Sequence, residues 1–263
     1  MSDGWQRPEG HPISEEMARA LVGGSLGDVH RQILMGCCRP IYWFVLDPKD
    51  PKILDSGTVT LVRTPVLLLG ITAAHVMEGY DVARLKGEMR LQIGNAVIND
   101  IDQRRIATSA ELDIATLDLT GLNLETIGNE VSPLSSWPPL PPSEGGGITL
   151  GGYPGQDRRP VARLENTWGL FTAMGIARSV SHDQITWIIP REDEFVVPAR
   201  HPLPLNYELG GISGGPLISS FESPAGIFSY RLAGIISEAQ AQLEYVVAKR
   251  ADLINADGSI QRP

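Results

Sequence analysis

The chain has 263 residues, enough for one large domain or two small ones around a substantial buried core. A hydrophobic fraction of 42% and a charged fraction of 20% exclude a disordered chain, and no apolar run approaches the ~18 residues of a membrane-spanning helix, so no membrane is expected as a partner. The net charge of −9 would repel phosphate backbones, which argues against nucleic acid.

The N-terminal stretch MSDGWQRPEGHPISEEMARALVGG has no basic start followed by an apolar run, so it reads as no secretory signal and a cytoplasmic location is expected. Ser14 offers a helix N-cap, and EEMARALVGG and GDVHRQIL read as two short helices broken by Gly23 and Gly24. The neighbours Cys37 and Cys38 are the only cysteines; they fit reduced thiols in or near a strand, not a disulfide framework or a zinc site, and no metal is expected. From about residue 41 the texture becomes β-like. TVTLV (58–62) alternates, Val66–Ile71 is almost continuously apolar, and MRLQI (89–93) alternates again. IATLDL, GITLGGY, LENTWGLF, DQITWII, RLAGIIS and LEYVV follow, most of them short and bounded by Gly, Pro, Asp or Asn. This is the pattern of an all-β protein of barrels or sandwiches. Between its halves lies SSWPPLPPSEGGG (135–147), whose prolines cannot join a ladder and read as a stiff connector. The glycines of GGGITLGGYPG lack the Lys-Ser/Thr of a phosphate loop and read as tight turns.

One segment concentrates chemistry. Gly211-Ile212-Ser213-Gly214-Gly215 fits G-x-S-x-G. In an α/β-hydrolase a histidine follows the serine, and none follows Ser213. A subtilisin-like order is met by Asp47, Asp50 or Asp55 before His75, but the β-rich texture opposes that fold. The order His, Asp, Ser is met by His75 in GITAAHV, Asp113 in DIATLDL and Ser213, with the first two before the proline connector and the serine after it. Taken singly, His75 reads as a core histidine, Asp113 as a turn carboxylate and Ser213 as a loop hydroxyl; jointly, in this order, they read as a nucleophile with its base and orienting acid. Asp118 is a weaker choice for the acid, and His11, His30, His182 and His201 read as surface or structural.

TAAH, DIATL and GISGGPL resemble the three signature segments of trypsin-like serine peptidases, the chymotrypsin-fold family, and GGYPG and LAGIIS resemble it too. The resemblance runs from about residue 55 to 250. It implies two six-stranded antiparallel β-barrels, here with short N-terminal helices and a short C-terminal helix. The expected layout is a helical extension over 1–36, a first barrel over 37–136, a proline-rich linker over 137–144, and a second barrel with the C-terminal segment over 145–263. It implies that His75, Asp113 and Ser213 form a catalytic triad, that the amides of Gly211 and Ser213 form an oxyanion hole, and that no cofactor is needed. Tyr207, Glu208, Ser237, Glu238 and Ala239 map onto the substrate pocket. Tyr207 could partly fill it and favour small side chains, or Glu208 could attract Lys or Arg.

Many secreted members of that family carry an aspartate just before the nucleophile, which pairs with a newly cut N-terminus; Ile212 cannot form that pair, so no activation by N-terminal cleavage is expected. The expected protein is a cytoplasmic, bacterial serine endopeptidase acting on peptide or protein substrates. Residues 1–36 or a regulatory protein partner would restrain it. An inactive binding module on the same fold and an esterase are the alternatives.

Overall fold

Short β-branched runs separated by turn residues build strands here, and the computed structural model describes residues 20, 23–45, 53–128, 130–162, 165–188, 207–222, 228–240 and 245–261. Helix α1 (Ser25–Cys37) runs without a loop into β1 (Cys38–Val45). The helix expected before Gly23 falls almost wholly outside the described residues. The first half continues through β2 (Ile53–Arg63), β3 (Leu68–Thr72), α2 (Ala74–Arg84), β4 (Met89–Ile93), β5 (Ala96–Ile98), the short α3 (Ile101–Arg104), β6 (Arg105–Ser109), β7 (Ile114–Asp118) and the short α4 (Leu124–Ile127). Its sheet has the order β5-β4-β1-β2-β3-β7-β6 with every neighbour antiparallel.

The second half comprises β8 (Gly147–Gly152), a 3-10 turn (Gly155–Asp157), β9 (Arg158–Ala162), β10 (Glu165–Trp168), β11 (Phe171–Ile176), β12 (Ser179–Val180), β13 (Gln184–Ile188), β14 (Pro216–Glu222), β15 (Phe228–Gln240) and β16 (Tyr245–Arg250). Its main sheet runs β11-β8-β14-β15-β16-β13-β12, again antiparallel, and β9 and β10 form a separate hairpin. Two curled antiparallel half-barrels result, the chymotrypsin-like architecture that the sequence implies.

Two details differ from expectation. Each main sheet has seven strands, not six. The surplus comes from edge strands too short to show as sequence runs: β5 is three residues beyond the two-residue turn Gly94-Asn95, and β12 is two residues. At the C-terminus the described chain makes one 3-10 turn, Ala251–Leu253, instead of a helix. The residues after it strap back onto the first half: Thr64 Oγ1 donates to the Ala256 carbonyl at 2.7 Å and Thr116 Oγ1 to the Gly258 carbonyl at 2.7 Å.

Three apolar clusters make the core. One lies in the first half around Trp43, Leu61, Met77 and Leu91, and one in the second around Leu150, Trp187 and Leu217. The third fills the space between them, with Ile71 and Ile114 from one side and Ile218 and Ile235 from the other. Helix α1 contributes Leu34 and Cys37 to it, both fully buried. A buried leucine side chain stabilises by about 1.5–3 kcal/mol, so the described part of the N-terminal region is core and not an appendage. Just before the connector, Leu134 exchanges backbone bonds with Leu61 and Arg63 of the first half, and within it the Leu140 amide donates to the Leu232 carbonyl of the second at 2.9 Å.

Candidate active site

His75 lies in the first turn of α2, directly after β3, where a backbone N–H has no partner within the helix. Asp113 supplies one. It precedes β7 with φ +48°, a left-handed conformation that aspartate tolerates better than most residues. That turn points the carboxylate back at α2. Oδ1 accepts the His75 backbone N–H at 3.0 Å, and Oδ2 lies 2.8 Å from His75 Nδ1. One side chain thus fixes both the main chain and the ring. With Nδ1 donating to the carboxylate, Nε2 is left with a free lone pair. The hydrogen bond that His75 donates to Asp113 raises the His75 pKa above 6.5; burial opposes this, and the charges of Asp113, Glu78 and Asp55 add to the rise. The ring is half exposed, so water reaches it.

Ser213 sits in the tight loop that leads into β14. The loop closes on itself through Ile212 N–H to Leu209 O (3.1 Å) and Gly215 N–H to Ile212 O (2.9 Å). Gly214 has φ +89°, and a Cβ there would strike the Thr58 carbonyl and Thr72 Oγ1. Strand β2 of the first half grips this loop. The Thr58 amide donates to Ser213 O at 2.8 Å, Thr58 Oγ1 to Gly211 O at 2.9 Å, and Thr60 Oγ1 to Gly214 O at 2.8 Å. The Tyr153 amide in turn donates to Thr58 Oγ1 at 2.9 Å. Beside Thr58, Gly57 has no side chain because none would fit: a Cβ would lie 2.7 Å from Val76, next to His75, and 3.3 Å from the Ser213 carbonyl. The serine loop and the start of α2, which carries His75 with Asp113 on it, therefore meet over one glycine.

The Ser213 hydroxyl donates to the Ser237 carbonyl at 3.4 Å. Among the described residues no hydrogen bond joins it to His75. Ser237 is the extra residue at an irregularity in the β15–β16 ladder between Ile236 and Glu238, and this turns its carbonyl toward the serine. Beyond Ile235, β15 has β16 on one edge and, among the described residues, no strand on the other, where Ser237 lies beside Ser213.

Neither the Gly211 nor the Ser213 amide donates to a protein acceptor among the described residues. The direction of the first is fixed from outside. The Gly155 amide donates to the Gly210 carbonyl at 2.8 Å. In a trans peptide the C=O and the following N–H point opposite ways, so this bond turns the Gly211 N–H away from Gly155. Gly211 reaches the required φ of +103° because it has no Cβ.

The residues mapped to the substrate pocket divide. Ser237 and Glu238 lie on β15 beyond Ile235; Glu238 Oε1 accepts from Tyr245 Oη and Gln240 Nε2, each at 2.6 Å. Ala239 is partly buried against the second core. Tyr207 packs its ring 6.0 Å from that of Phe171 and donates its hydroxyl to Asp157 at 2.5 Å. The exposed Glu208 gives its backbone N–H to Gln156 Oε1 at 3.2 Å. Asp118 caps a turn through the Thr120 amide. His30 is structural, buried against Thr149 and Tyr230, and His182 is exposed. His11 and His201 lie outside the described residues. Both cysteines are free and buried, and no group of metal-ligating side chains occurs among the described residues.

The sequence alone assigns Gly57, Thr58, Thr60, Gln156 and Asp157 no role at the site. The one signal present was the polar face of TVTLV, occupied by β-branched threonines and not by charges. No family model matches the chain, and no curated protein matches it significantly. Among solved structures, an inactive-form crystal structure of Rv3671c from M. tuberculosis H37Rv, with a serine replaced by alanine, matches at 17% identity and a TM-score of 0.43, covering 94% of this chain and 92% of that one. A likeness of that size carries no weight for function.

Proposed function

We propose that the protein is a serine endopeptidase. The observation that carries the reading is the two-point grip of Asp113 on His75, next to Gly57 and the strand β2 that holds the Ser213 loop. Ser213 Oγ attacks the substrate carbonyl carbon as its proton passes to His75 Nε2. The C=O electron pair moves to oxygen, and the Gly211 and Ser213 amides stabilise that charge. The tetrahedral intermediate collapses by breaking the C–N bond, and the imidazolium gives its proton to the leaving amine. Water then attacks the acyl-enzyme by the same steps. The edge of β15 at Ser237, beside Ser213, suits an extended peptide backbone, which favours a peptide over a simple ester. Glu238, held through one oxygen, leaves the other for a cationic side chain.

A second reading, a binding module without turnover, draws on the Ser213 hydroxyl facing Ser237 instead of His75. A staggered rotation about the Cα–Cβ bond redirects the hydroxyl at little cost, and catalytic hydrogen bonds often form only with substrate present.

The pH profile tests the proposal. The base must be neutral, and its folded pKa is raised above 6.5, so kcat/KM for a peptide rises with pH through a midpoint above that value. The stabilising effect of the same pair runs oppositely: it is complete below 6.5 and is lost as pH rises through the folded value. Activity that is independent of pH between about 5 and 9, or that survives in Ser213→Ala, contradicts the reading.

A further inference from the structure

Three hydrogen bonds stitch the 155–157 turn to residues 207–210: Gly155 N–H to Gly210 O (2.8 Å), Glu208 N–H to Gln156 Oε1 (3.2 Å) and Tyr207 Oη to Asp157 Oδ2 (2.5 Å). All cross from one segment to the loop just before Ser213. We propose that the Asp157–Tyr207 pair is a clamp that holds this loop with the Gly211 amide facing the substrate oxygen, which makes Tyr207 a positioning residue. This rests on the proteolytic reading and extends it to the control of the site.

The loop's own ties, Ile212 N–H to Leu209 O and Gly215 N–H to Ile212 O, leave the Gly210–Gly211 peptide unheld. Ile212 carries no charge with which to hold it by an ion pair, and is fully buried against Gly152. A loop that contains Gly210, Gly211, Gly214 and Gly215 does not keep its own conformation, because glycine gains most from disorder. Its order must come from contacts with something rigid. On the Ser213 side that support is Thr58 and Thr60. On the other side it is the 3-10 turn, itself closed by Asp157 N–H to Pro154 O and tied to the link between β10 and β11 by Gly169 N–H to Asp157 O, each at 3.1 Å. Tyr207 suits the role of a link between loop and turn. Its ring leans on Phe171, and its phenol, half-buried, keeps its proton for the carboxylate because burial first and the Asp157 bond second raise its pKa. A short hydrogen bond to a charged acceptor is among the stronger ones open to a side chain. The side chain thus points at a support and does not stand free as the floor of an empty pocket.

The test compares wild type, Tyr207→Phe, Asp157→Ala and Asp157→Asn in the full chain. The readouts are the rate at which a fluorophosphonate labels Ser213, kcat and KM on one peptide, and thermal midpoints. Tyr207→Phe keeps the ring packing and deletes only the hydroxyl; Asp157→Asn keeps an acceptor. A clamp predicts that Tyr207→Phe and Asp157→Ala lose about 10-fold or more in kcat and labelling rate with little change in KM, approaching part of the roughly 10²–10³ cost of losing an oxyanion donor, and that Asp157→Asn is largely rescued. Equal rates in wild type and Tyr207→Phe overturn the clamp while leaving the enzyme reading intact, as do losses that track the thermal midpoint in every variant, which would make Tyr207 a packing residue. A wild type that labels nowhere overturns the enzyme reading itself.

Discussion

Asp113→Asn is expected to lower kcat by about 10⁴ while leaving the thermal midpoint nearly unchanged. The two carboxylate oxygens act separately, since Oδ1 accepts the His75 backbone N–H and Oδ2 faces Nδ1. An asparagine oxygen can keep the first bond and so keep the start of α2 in place. It also tolerates the left-handed turn at φ +48°. Its amide nitrogen, however, presents hydrogens to Nδ1, which must then become the acceptor, and the ring proton moves to Nε2. A base protonated on the atom that should take the serine proton cannot start the reaction. The His75 pKa should also fall, because its largest raising influence is the hydrogen bond it donates to Asp113. If Asp113 only caps the helix, the same substitution is close to neutral for every readout. Steady-state kinetics and a thermal melt on one preparation separate the two.

Gly155→Pro is expected to cost roughly 10²–10³ in kcat, the loss associated with one oxyanion donor, while Gly155→Ala costs little. Proline removes the amide hydrogen that holds the Gly210 carbonyl and puts its ring Cδ in that hydrogen's place, which pushes the carbonyl away. The local torsions suit it. Gly155 opens a 3-10 turn, a position that proline favours, its φ is not in the left-handed range, and Pro154 before it has the extended ψ of 137° that a following proline requires. A Cβ at this position would lie 3.6 Å from Ser56 Oγ and 3.7 Å from the Gly210 carbonyl, ordinary contacts. With its carbonyl released, the Gly210–Gly211 peptide is free to rotate and withdraw the Gly211 N–H from the hole. The defect should therefore appear in kcat and not in KM, and alanine, which keeps the N–H, serves as the control.

The strand texture and the order of His75, Asp113 and Ser213 were readable because they depend on local pattern and on residue types that few reactions share. Burial between the halves was not. Period-two alternation in TVTLV reads as one dry and one wet face, yet Thr58 and Thr60 are fully buried, since their polar face meets the serine loop of the other half. Nothing in a single strand tells solvent from a second barrel. Gly57 carries no turn signal and owes its place to Val76 and to the Ser213 carbonyl, both distant in sequence. Asp113 is the turn carboxylate that the sequence suggests, but only its left-handed conformation, invisible in the sequence, aims it at α2. In GITLGGY, Gly151 and Gly152 sit inside β8, not in a turn, because Leu34 of α1 and Ile212 of the serine loop press on them there. Within the expected extension over residues 1–36, nothing in the sequence signals that Leu34 packs into the cluster between the halves.

The decisive experiment incubates the folded protein with a fluorophosphonate and maps the adduct by peptide mass spectrometry, with Ser213→Ala in parallel. A working triad gives stoichiometric modification of Ser213, slower below the His75 midpoint and absent from the alanine variant. A folded protein that carries no adduct, or carries it on a residue other than Ser213, would refute the assignment of Ser213 as the nucleophile.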